Sequence, residues 1–134
     1  MLTVKRPVMV VALSTEALKT QLLAEVDAAI DQLNLQAQQL EFQHRRAVAE
    51  LQSNVHRLVE ARKEMDAAKE QYEEQLRQLQ DQRAQIEALP DDTLVARGEL
   101  ETTVTLQPGD NLQDKLRPVE VIVRDDVVVE ILGN

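Results

Sequence analysis

A chain of 134 residues with a net charge of −9 and no cysteine has room for one ordinary domain, or for a coiled coil with a small β unit, and excludes disulfides, thiolate chemistry and Cys-type zinc sites. Its only aromatic side chains are Phe42 and Tyr72, so a core must be built from Leu, Val, Ile and Ala, a composition typical of coiled-coil chains. The acidic balance argues against a dedicated nucleic-acid binder, because affinity for phosphate depends on clustered Lys and Arg.

The first residues, MLTVKRPVMVVALSTE, place two cations before an apolar stretch at 8–13, shorter than the roughly 7 to 15 residues of a signal-peptide core. This stretch reads as a strand. Nothing in the chain approaches the ~20 apolar residues that span a bilayer, so a soluble, cytoplasmic protein with no membrane partner is expected. Pro7 cannot donate to a ladder, which predicts that residues 1–13 form an N-terminal edge strand of a base sheet. Ser14 or Thr15 can cap the helix that follows, with Glu16 complementing its dipole.

Residues 14–89 then read as a coiled coil, with no proline or glycine between Leu13 and Leu89. One seam runs Val26, Ile30, Leu33, Ala37, Leu40, His44, Ala47, Leu51. A second runs Val55, Leu58, Arg62, Met65, Lys69, Tyr72, Leu76, Leu79, Arg83, Ile86. Each keeps steps of three and four. The register breaks between them, where Ala47, Leu51 and Val55 are spaced by four and four.

That break poses a choice. A single helix of about 74 residues would be roughly 110 Å long, and its flanking strands could pair only between chains. A turn near residues 52–54, where Ser53 and Asn54 are weak helix formers that cap well, makes two arms of similar length and brings the strands together in one chain. The expected class is therefore α+β: a long antiparallel coiled-coil helical hairpin on a small, mostly antiparallel β-sheet formed by N- and C-terminal strands. The continuous helix is the alternative.

Leu89 and Pro90 end the coiled coil, and residues 90–134 read as C-terminal strands completing the sheet. Leu100, Thr102, Val104 and Leu106 alternate with Glu99, Glu101, Thr103 and Thr105, the pattern of a half-buried strand. Gly109 marks a turn, Asp110 or Asn111 can cap a helical turn through Lys115, and VEVIVRDDVVVEIL reads as a hairpin turning at Asp125 and Asp126.

The segments ALPDDTLV and VTLQPGDNLQDKLRPVEVIVRDDVVVEIL resemble the C-terminal half of the YlqD family, a group of uncharacterised bacterial proteins. The likeness is sharpest at Gly109, Asp110, Leu112 and the closing hairpin, and it departs at Asp126, where the pattern expects glycine. The resemblance implies this architecture and a bacterial setting, and supplies no catalytic residues. The layout is also similar, by analogy of fold alone, to a prefoldin subunit, in which a sheet assembles subunits and coiled-coil tips grip a client.

No catalytic constellation, cofactor site or metal site is expected. Ser14 and Ser53 are explained as helix caps, His44 as a polar seam residue, and the acidic run 64–87 as a solvated face. The residues that invite a functional reading lie around the turn: Arg45, Arg46, Val48, Leu51, Val55, Arg57, Val59 and Arg62. They predict a tip that meets an acidic protein surface or, weakly, RNA; the plainer reading pairs its cations with Glu41, Glu50 and Glu60. The function expected is that of a non-enzymatic structural or interaction protein, a homo-oligomer (dimer or higher), self-assembling through its β base and coiled coil. A prefoldin-like holdase or adaptor with a protein client at its tip is the second expectation.

Overall fold

The computed structural model describes residues 1–133. Its elements follow in the order β1 (Leu2–Leu13), α1 (Glu16–Glu50), α2 (Val55–Glu87), β2 (Leu94–Leu106), α3 (Leu112–Leu116), β3 (Val119–Arg124) and β4 (Val127–Leu132). Asn134, the last residue of the expected segment 90–134, lies outside the described residues. The class is the expected one, α+β, with a helical hairpin and a mixed, mostly antiparallel sheet made from N- and C-terminal strands. Two compact units carry these parts, one formed by Met1–Thr20 with the chain from Leu89 onward, the other by Gln21–Ala88.

In the first unit the strand order is β2-β1-β3-β4. β1 runs antiparallel to β2 from Leu2 to Leu13 and parallel to β3 from Val8 to Ala12. Residues 8–12 are therefore interior to the sheet, which corrects the edge-strand expectation for that part of residues 1–13. The cause is the unbroken apolar run from Val8 to Leu13, which suits a strand flanked on both sides. Pro7 is the last residue before β3 joins, so its missing N–H is tolerated where β1 has β2 alone as neighbour. Val8, Ala12, Val119 and Ile122 are buried at this centre.

Polar contacts fix the strand ends. The Arg6 guanidinium donates through Nε to the carbonyl of Arg117 and through Nη2 to that of Gly133, each at 2.5 Å, tying the entry to β3 to the exit from β4. Gly133 has φ +79°, and a Cβ there would meet the Pro118 carbonyl oxygen at 2.9 Å, so both conformation and space require glycine. At the β3–β4 turn Asp125 and Asp126 have φ 47° and 68°, the left-handed pair that a two-residue type I′ turn demands. Asp126 adopts it without the glycine.

Ser14 is 2 % exposed and joins the end of β1 to residues 90–93. Its hydroxyl donates to the Pro90 carbonyl at 2.5 Å and accepts from the Thr93 N–H at 2.8 Å. Its backbone N–H donates to Thr93 O, and its carbonyl accepts from the Asp92 N–H, both at 2.9 Å. With its hydroxyl spent on this junction, Ser14 does not cap α1. The cap is Thr15, whose Oγ1 accepts from Leu18 N at 3.2 Å and donates to Asp125 at 2.6 Å.

The second unit is the hairpin. α1 stops at Glu50, residues 51–53 turn, and Asn54 caps α2 by accepting the Arg57 N–H at 3.2 Å. Asn54, not Ser53, is thus the cap. Arg83 Nε lies 2.9 Å from Asp27 Oδ1, 56 residues away in sequence. In one continuous helix they would stand about 84 Å apart, so the rod is excluded.

On α1 every expected seam residue is buried or half-buried. On α2 the seam differs from expectation. Arg62 and Lys69 are exposed, and Val55 is 69 % exposed, while Ala61 and Ala68 turn inward. A cation on a seam must be desolvated or paired, and Ala61 and Ala68, one residue before each cation, stand between Leu58, Met65 and Tyr72 instead. Arg83 remains on the seam because Asp27 receives it across the hairpin. Its guanidinium is held above its usual pKa chiefly by the hydrogen bond to Asp27, with the charges of Asp27 and Glu87 adding to the effect. Among the described residues only Val26, Leu33 and Met65 of this seam are buried, at 6–9 % exposure; each contributes up to about 1.5–3 kcal/mol. One partner helix leaves the remaining seam residues partly in water.

Candidate interaction surfaces

The sequence pointed to the hairpin turn. There α2 opens without an acidic residue in its first turn, so Arg57 adds to the positive end of the helix dipole. Arg45 pairs with Glu41 at 2.9 Å and Arg46 with Glu50 at 3.8 Å, both along α1. These two cations follow the plain reading. Arg57 and Arg62 are exposed and form no ion pair among the described residues. Val48 and Leu51 are half-buried against the turn, whereas Val55 and Val59 are 69 % and 46 % exposed. The expected tip residues thus divide: Val55, Arg57, Val59 and Arg62 face water without an ion pair, Arg45 and Arg46 are exposed but paired along α1, and Val48 and Leu51 are half-buried.

Along the hairpin a groove of about 510 Å3 opens beside the seam, lined by Leu33, Ala37, Leu40, Met65, Tyr72 and Leu76, with Lys69 and Glu73 at its margin. Its walls are mainly apolar, which suits contact with another helix better than chemistry on a small polar substrate.

The third surface is β4. It ends the sheet with β3 on one side only, and Val127, Val128, Val129, Ile131 and Leu132 are 40–65 % exposed. Glu130 is its one charge. β2, at the opposite end, differs: it carries Arg97, Glu99 and Glu101, and the register skips Arg97 beside Gly98. Charge and bulge are the usual devices that discourage edge pairing. β4 has a bulge at Val129 but little charge.

Two exposed apolar residues went unread in the sequence. Leu35 and Phe42 are 49 % and 68 % exposed on α1, away from the hairpin seam. The available signal was the chain's single phenylalanine standing seven residues after a leucine, off the seam register.

Among the described residues no group of three His, Cys, Asp or Glu side chains is placed to hold a metal ion, and no helix is long and apolar enough to cross a membrane. The sequence profile of the YlqD proteins matches residues 2–132, both strand-bearing ends and the hairpin between them. The chain belongs to the YlqD family. This is an uncharacterised bacterial family, and the architecture above is what membership adds to the resemblance read from the C-terminal half. A crystal structure of a protein of unknown function from Synechococcus sp. WH 8102 is similar at 30 % identity with a TM-score of 0.85, covering 97 % of this chain and 95 % of that one. No protein of curated function matches.

Proposed function

We propose that this YlqD-family chain is a non-enzymatic assembly protein of the bacterial cytoplasm, which associates with itself through the free edge of its sheet. The observation that carries the reading is β4. Five apolar side chains, each 40–65 % exposed, lie on an edge strand whose outer row of N–H and C=O groups has no strand beside it, and such a strand is a template for pairing. Two β4 strands pairing about a two-fold axis form an isologous contact. The apolar groove on the hairpin also favours helical partners over a reacting small molecule. The test is light scattering of the purified chain across a concentration series, beside the double variant Val127→Lys, Val129→Lys. The expected result is a dimer or larger species that loses mass in the variant while helix content stays unchanged. Equal masses for the two proteins would refute the β4 interface.

A second reading is favoured by the tip, where exposed Val55 and Val59 alternate with exposed Arg57 and Arg62. In this reading the hairpin holds an acidic, partly unfolded client. It expects the chain to suppress aggregation of an acidic unfolded test protein, and Val55→Ser with Val59→Ser to abolish that suppression. An inert wild-type chain would dispose of it.

A further inference from the structure

Ala28, Leu35, Phe42 and Ala49 recur every seven residues on α1 and are all exposed, so they form one stripe on the side turned away from α2. Leu35 and Phe42 are the large apolar members, at 49 % and 68 % exposure. Gln38 and Gln39 lie between them, and Gln38, Gln39 and Gln43 share one concave patch with both. A stripe of this form, about three heptads long, is half of a helix-helix interface.

Charge along the same helix says which half completes it. Towards its N-terminal end the stripe is flanked by Asp31, and towards its C-terminal end by Arg45 and Arg46; Asp27 is held by Arg83 across the hairpin. Asp31 makes no ion pair among the described residues, and the pairs of Arg45 and Arg46 are surface pairs within one turn of helix, which are worth little and easily exchanged. A second α1 laid parallel would set acid against acid and base against base. Laid antiparallel, with a two-fold axis near Gln38 and Gln39, it sets Asp31 against Arg46 of the other copy at both ends. Phe42 of each copy then meets Leu35 and its neighbours on the other, and the small Ala28 and Ala49 let the helices approach.

We propose that a second copy of this chain docks on the outer face of α1, antiparallel, through Leu35 and Phe42. The proposal rests on the reading of the protein as self-assembling and adds a helical interface distinct from β4. Phe42 is its anchor, an aromatic side chain at the centre of a small patch.

The native chain has no cysteine, so engineered thiols report pairing directly. Chains carrying Ala28→Cys mixed with chains carrying Ala49→Cys are expected to form a mixed disulfide on mild oxidation. Chains carrying Ala28→Cys alone are not, because the antiparallel axis separates the two copies of that position by about 30 Å. Self-linking of the Ala28→Cys chain without the mixed product would mean parallel pairing and overturn the proposal, and no linking in either sample would overturn it as well. Phe42→Asp, at an exposed position, is expected to weaken association about thirtyfold or more. Asp31→Arg and Arg46→Asp should each weaken it, and the two together should restore it. Failure of restoration would remove the charge argument. The β4 lysine variant separates the two claims: association lost in that variant, with no mixed disulfide in the wild-type background, leaves the β4 reading standing and this one refuted.

Discussion

Ser14 joins the end of β1 to residues 90–93 through its hydroxyl, its N–H and its carbonyl, and it is the most deeply buried polar residue described. Ser14→Ala removes the acceptor of the Thr93 N–H and one of two donors to the Pro90 carbonyl, which keeps the Thr93 hydroxyl; the unsatisfied Thr93 N–H costs about 1–3 kcal/mol. The expected measurement is a lower urea midpoint with an unchanged slope. Thr15→Ala should cost about 1 kcal/mol, as loss of a cap does. Asp126→Gly acts in the other direction: φ 68° suits glycine better than aspartate, so thermal unfolding should move up by a few degrees. The sequence showed that Ser14, Thr15, Ser53 and Asn54 stood at helix boundaries. It did not show which hydroxyl would cap, because that depends on where Thr93 and Pro90 come to lie, residues about eighty positions away in the chain.

The hairpin was legible because its cues are local: two runs with heptad steps, a register break, and weak helix formers between them. α1 matched its expected seam residue for residue. α2 did not, because the spacing of Val55, Leu58, Arg62, Met65 and Lys69 satisfies a heptad count as well as that of Leu58, Ala61, Met65 and Ala68, and the choice is made by the cost of placing Arg62 and Lys69 between helices. The consequence can be measured. Ala68→Asp buries a charge on the seam and should destabilise the chain by about 2–3 kcal/mol, while Lys69→Asp, one residue along on the exposed face, should fall within about 0.5 kcal/mol of the parent. A larger loss at Lys69 than at Ala68 would restore the register read from the sequence. β1 misled through Pro7: one residue was weighed above the apolar run that follows it, whereas the run is what places Val8 to Ala12 between β2 and β3.

For the whole molecule, the chain's shortage of aromatics and its thin hairpin seam have one common outcome. Apolar surface remains on β4, beside the seam, and on the outer face of α1, and the proposed self-assembly would cover it. The family assignment was within reach of the sequence because Gly109, Asp110 and the closing hairpin carry a pattern. The interaction faces were only partly so, since exposure depends on which helical face finds a neighbour, and Leu35 and Phe42 could not be set apart from core residues by composition. The measurement that tests self-assembly most directly is the mass of the wild-type chain in solution by sedimentation equilibrium, at concentrations spanning micromolar to hundreds of micromolar. A dimer or larger species, reduced in mass by Val127→Lys with Val129→Lys, is the expected result. A monomer at every concentration would contradict the account.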